Sequence, residues 1–144
     1  MKVPRAGFYE LNPKLGGHDF LLERASVPIA IDTRAKSATL VAAQSPLKFW
    51  LAAKAETPFT LLASGGTYSG STINATLFSA EGAEIAKGVG TREWTLLDGK
   101  AATDGLWRLD VTRIPKKPYS FFCLDMAGIP GLFFLSSEKT WRFQ

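Results

Sequence analysis

The chain has 144 residues, of which 46% are hydrophobic and 21% charged, with a net charge of +4 and a single cysteine. This length suits one domain burying roughly 68–70% of its unfolded surface, and the composition argues against intrinsic disorder. One cysteine excludes an internal disulfide. No apolar run approaches the roughly 20 residues of a membrane helix, so no membrane partner is expected.

The start, MKVPRAGFYEL, lacks a hydrophobic run of signal length. It reads either as an intracellular protein or as a domain belonging to a larger chain, with residues 1–15 as an extended N-terminal segment of a single domain over 1–144. From there, short period-two runs recur between Gly, Pro, Asp and Ser clusters, the pattern of a sandwich or barrel. The first expected strands are Asp19–Arg24, Val27–Ile31, Ala38–Ala42 and Leu47–Ala52. Phe59–Ala63 follows, then the loop Leu62–Gly70, LASGGTYSG. Its glycines do not form a phosphate loop, which needs a following Lys and a helix.

Next come Thr72–Phe78 and Glu84–Lys87, a hairpin whose turn is supplied by Glu81-Gly82, because glycine tolerates positive φ. Glu93–Leu97 is the following strand, and LDGKAATDG then reads as a polar loop. The last expected strands are Leu106–Thr112 and Tyr119–Asp125, with shorter pieces at Leu132–Leu135 and Thr140–Phe143. The expected fold is all-β: a jelly-roll-like antiparallel sandwich of about eight to ten strands, its edges managed by Pro and Lys.

Alternation assigns each aromatic a side. In GLWRLDVTR, Arg108 and Asp110 mark the polar face and predict a surface ion pair, so Trp107 joins Leu109 and Val111 in the core. In PLKFWLAA, Leu47, Phe49 and Leu51 form the apolar face, and Trp50 shares the other with Lys48 and Ala52. Trp50 is therefore either exposed or packed under an outer loop. Trp94 lies in phase with Arg92 and Leu96, either as core or as part of a binding face. Tyr68, between Thr67 and Ser69, is expected to be accessible, or else to anchor its loop on a sheet edge. Trp141 and Phe143 read as a docked last strand.

Exposed planar aromatics beside hydrogen-bonding groups suit sugars, since an indole covers the apolar C–H face while polar groups meet the hydroxyls. Trp50, Trp94 and Tyr68 are the candidate stacking residues, with Arg92 and Lys48 as polar partners. The positive net charge favours an anionic or uronic-acid glycan. Nucleic acid is not an expected partner, because the basic residues are scattered rather than striped with aromatics.

Chemistry beyond binding finds little support. Carboxylates are present, but their spacing singles out no acid–base pair, and no G-x-S-x-G elbow occurs. Cys123 lies in an apolar run, far in sequence from the lone His18. One His and one Cys leave no transition-metal set. Asp98 and Asp104 offer oxygens for a structural calcium without an EF-hand pattern, so no cofactor and no enzymatic activity are expected.

Three separated pieces are "PLKFW", "ATLFSAEGAEIAKG", and "DGLWRLDV" followed by "GIPGLFF". Their order resembles accessory jelly-roll β-sandwich domains of secreted bacterial polysaccharide-acting proteins, of the carbohydrate-binding-module and galactose-binding-like kind. It also resembles, more loosely, pre-peptidase C-terminal domains. Gly105, Trp107, Leu109 and Val111 match a G-x-W-x-L-x-V strand of that pattern. The resemblance implies a non-catalytic carbohydrate-binding module, extracellular or periplasmic, attached to the catalytic domain of a parent enzyme. The alternative is a structural or protein-interaction sandwich packing on a neighbouring domain. These motifs are scaffold positions, so they carry over no ligand residues.

Overall fold

The computed structural model describes residues 28–33, 38–42, 46–65, 72–113 and 120–136. The expected strands Asp19–Arg24 and Thr140–Phe143, the segment 1–15, His18, Tyr68 and Trp141 lie outside them. Ten strands follow in chain order: β1 (Ala30–Asp32), β2 (Ala38–Ala42), β3 (Leu47–Ala53), β4 (Pro58–Ser64) and β5 (Ile73–Phe78). The rest are β6 (Glu84–Thr91), β7 (Thr95–Lys100), β8 (Gly105–Arg113), β9 (Ser120–Ala127) and β10 (Leu132–Phe134). No helix occurs among the described residues.

Two antiparallel sheets form, one of six strands in the order β1-β10-β3-β8-β5-β6 and one of four in the order β2-β9-β4-β7. Every connection except the β5–β6 turn carries the chain from one sheet to the other. Alternation explains why they stack. Phe49, Leu51 and Ala53 of β3, Trp107, Leu109 and Val111 of β8, and Ile73, Ala75 and Leu77 of β5 face inward together. Phe59, Leu61 and Ala63 of β4, Leu97 of β7, and Phe122 and Leu124 of β9 meet them from the second sheet.

Rings lock the two layers. Phe49 lies 6.2 Å from Phe122 across the sandwich, and Phe59 meets Trp107 edge-on at 5.1 Å. Each large side chain buried this way contributes about 1.5–3 kcal/mol, and edge-to-face pairs add about 0.5–1.5 kcal/mol. Trp107 is therefore a core residue, as its phase predicts.

The β5–β6 hairpin turns where expected. The Ser79 N–H donates to the Ala83 carbonyl at 2.8 Å, the Gly82 N–H donates to the Ser79 carbonyl at 3.0 Å, and Gly82 has φ +85°. Beyond it, the structure departs from the sequence reading in two places. β6 continues past Lys87 through Gly88 and Gly90 to Thr91. A Cβ on Gly88 would stand only 2.8 Å from the Thr95 methyl and 2.9 Å from the Thr91 methyl, so this glycine permits a close approach rather than ending a strand. The expected strand Glu93–Leu97 instead begins at Thr95 and runs to Lys100, through half of the expected loop LDGKAATDG. Gly99 reads as a breaker, yet the Phe59 ring fills its side-chain space, where an added Cβ would lie 2.5 Å from that ring.

Candidate functional site

The outer face of the six-stranded sheet is built by register. Trp50 on β3 pairs with Phe134 on β10 and with Arg108 on β8, and Arg108 pairs with Phe78 on β5. These four side chains form one row running across the strands, on the side opposite Phe49, Leu51 and Leu109. The next row holds Lys48, Asp110, Thr76 and Lys87 on β3, β8, β5 and β6. Asn74 and Thr112 pair beyond it.

Within this face Arg108 is held by two neighbours. The Arg108 Nε donates to Asp110 Oδ1 at 2.7 Å, so the sequence-predicted ion pair forms. The guanidinium carbon stands 4.2 Å above the centroid of the Phe78 ring, a cation–π contact worth about 0.5–2 kcal/mol. The Arg108 side chain keeps 33% of its surface exposed. Trp50 and Phe78 are half-buried, and Lys48 is exposed. A half-buried indole, a braced guanidinium and flanking hydroxyl, amide and ammonium groups thus share one sheet face, whose row ends at the buried Phe134. Arg108 and Phe78 were not singled out as site residues by sequence. Phe78 is in phase with Asn74 and Thr76, but only the pairing of β5 with β8 brings its ring under Arg108.

Arg92 and Trp94 lie elsewhere. Both are exposed in the short turn between β6 and β7, and Trp94 belongs to neither strand, contrary to the expected Glu93–Leu97. That turn follows Thr91, whose row runs through Ile73 to Arg113, five residues along β8 from Arg108. With about 3.3 Å per residue and 4.8 Å per strand, the turn stands roughly 20 Å from Trp50. The expected site residues therefore form two groups, Lys48 with Trp50 and Arg92 with Trp94. Tyr68 lies outside the described residues.

Along the β6–β7 margin, Ile85, Val89, Trp94 and Leu96 are exposed, with Trp94 at 47% and Val89 at 70%. At the opposite end of the sandwich from Trp94, a shallow groove of about 590 Å³ is lined by residues including Pro58, Thr60, Ile85, Asp98 and Lys100. Its polar groups already serve the fold. The Thr60 hydroxyl donates to Asp98 Oδ1 at 2.6 Å, and Lys100 Nζ lies 2.6 Å from Glu56 Oε2.

The two aspartates considered for calcium are apart in role. Asp98 accepts from Thr60, while Asp104 Oδ1 accepts the Ala55 N–H at 2.7 Å. Among the described residues no group of three His, Cys, Asp or Glu side chains forms a metal-binding cluster. No family model matches the chain, and no curated protein is significantly similar to it.

Proposed function

We propose that this chain is a non-catalytic carbohydrate-binding module of jelly-roll topology, with its glycan platform on the outer face of the six-stranded sheet. The supporting observation is the cross-strand row Trp50–Arg108–Phe78, an indole next to a guanidinium braced by Phe78 and Asp110. A pyranose ring laid on Trp50 puts its C–H face on the indole and its hydroxyls within reach of Arg108 and Lys48. Such a site holds orientation with few rotamers left to freeze. The strand order favours the jelly roll. With the β5–β6 hairpin set aside, the remaining eight strands lie first-eighth-third-sixth in one sheet and second-seventh-fourth-fifth in the other, the interleaving of two Greek keys.

The test is native affinity electrophoresis through gels containing neutral or acidic polysaccharides, with wild type beside folded Trp50→Ala. Selective retardation by one glycan, lost in Trp50→Ala, supports the platform. Retardation that persists in Trp50→Ala moves the site to Trp94, and no retardation in any gel removes the carbohydrate reading.

A second reading, a protein-interaction sandwich, is favoured by the exposed apolar side chains of Val89, Trp94 and Leu96 about the β6–β7 turn, since exposed apolar residues mark docking surfaces where they lie together. The two part on variants: Leu96→Ser leaves glycan retardation unchanged if the platform is at Trp50.

A further inference from the structure

Resting on that glycan-binding reading, we infer that the ligand is a polyuronate, with a hexuronate carboxylate held by Arg108 while its ring lies on Trp50. The argument begins with what holds Arg108. A long, flexible side chain on an open sheet normally loses much rotamer entropy when it engages a ligand. Here Phe78 supports the guanidinium plane from below at 4.2 Å, and Asp110 holds its Nε at 2.7 Å. That cost is met before any ligand arrives. Phe78 and Asp110 are positioning residues, and Arg108 is the contact.

A pre-set guanidinium is the group best matched to a carboxylate, because its N–H fork meets two oxygens at once. A neutral glycan offers no such acceptor and would use the fork poorly. Asp110 partly neutralises Arg108, yet Lys48 stands directly opposite Asp110 on β3, and Lys87 ends the same row. With Glu84 opposite Phe78 and Asp32 opposite Leu132 on the same side, the face carries three cations and three anions, so the preference for an anion rests on the Arg108 fork rather than on net charge.

The direction of the chain follows from the row. Trp50 and Arg108 sit on adjacent strands about 4.8 Å apart, close to the length that one pyranose adds to an extended glycan. A polyuronate running across the strands therefore passes Trp50 and Arg108 with successive sugars, or with the ring and carboxylate of one.

The experiment uses polygalacturonate, polymannuronate, polyguluronate and polyglucuronate, each paired with its carboxyl-reduced polymer, in affinity gels and calorimetry. At least one polyuronate is expected to bind ten-fold or more tightly than its reduced partner. Arg108→Gln should abolish that ratio, whereas Arg108→Lys should restore only part of it, because lysine keeps the charge but not the fork. Phe78→Leu keeps an apolar side chain and removes the ring face; it should lower the acid-to-neutral ratio more than it lowers binding of the neutral polymer. If reduced and acidic polymers bind equally, or if Arg108→Gln keeps the ratio, the polyuronate inference fails while glycan binding stands. If none of the eight polymers is retained, both fall.

Discussion

Three glycines separate two ways in which this fold depends on a missing side chain, and the comparison is quantitative. Gly82 has φ +85° with nothing within 4 Å of an added Cβ, so Gly82→Ala meets backbone strain alone. A non-glycine residue at positive φ costs about 1–2 kcal/mol, and the stiffer unfolded chain returns about 0.4–1 kcal/mol. A net loss of about 0.5–1 kcal/mol is expected. Gly99 is the converse: the obstacle is the Phe59 ring 2.5 Å from the added Cβ, and that ring cannot retreat freely because Trp107 packs edge-on against it. Overpacking costs about 1–3 kcal/mol, so Gly99→Ala should lose about 1–2 kcal/mol.

Gly128 combines both effects. Its φ is +92°, and an added Cβ would overlap the Pro58 carbonyl oxygen and stand 2.9 Å from the Phe59 Cα, which are backbone atoms rather than a movable side chain. Strain and overlap together predict a loss of about 3 kcal/mol or more for Gly128→Ala. Urea unfolding followed by tryptophan fluorescence, with m checked for constancy, reads all three. An order other than Gly82→Ala mildest and Gly128→Ala severest would refute this reading of the turns.

Other expectations follow the same geometry. Glu56 is the one non-glycine residue at positive φ among the described residues, at +58°. Glu56→Asn should gain about 0.5–1 kcal/mol in urea unfolding, since Asn tolerates that region and the exposed Lys100 pair that it breaks contributes little. Trp107→Ala should cost about 3–5 kcal/mol, a large share of a typical domain's stability, read as a collapse of the cooperative transition. Glu81 should titrate below the ordinary glutamate range, held there by the Ser79 hydroxyl and by its own backbone N–H. Because its folded-state pKa is depressed, its contribution to stability is present at neutral pH and fades as pH falls through that value. An NMR titration of Ser79→Ala should bring the Glu81 carboxyl back up, and an unchanged value would rule out the hydroxyl as the cause.

The sequence exposed the strands through alternation, and it failed where glycine served packing rather than turning. Trp107 and Trp50 were assigned sides correctly because Arg108, Asp110 and Lys48 mark the polar phase of β8 and β3. The ends of β6 and β7 were missed because Gly88 and Gly99 look like breakers until their neighbours, Thr95 and Phe59, are in place. Trp50 and Lys48 were legible as a pair because they share one strand. The brace of Phe78 under Arg108 was not, since it depends on β5 being the neighbour of β8, a pairing between segments about thirty residues apart. Likewise, nothing in a linear reading separates Trp94 from Trp50.

The alternation of strands between sheets also sets the order of events during synthesis. Trp50 cannot find Arg108 until β8 exists, and it cannot find Phe134 until β10 follows. At about 5–20 residues per second, the 84 residues from Trp50 to Phe134 take roughly 4–17 s to emerge. Until β8 emerges, 58 residues and roughly 3–12 s after Trp50, β3 is an unpaired apolar strand beside the ribosome, and among the ten strands only the β5–β6 hairpin can pair with its immediate successor. A nascent chain of this topology needs shelter for β3 more than for any later segment, and the ribosome's own chaperones are the natural place to look for it.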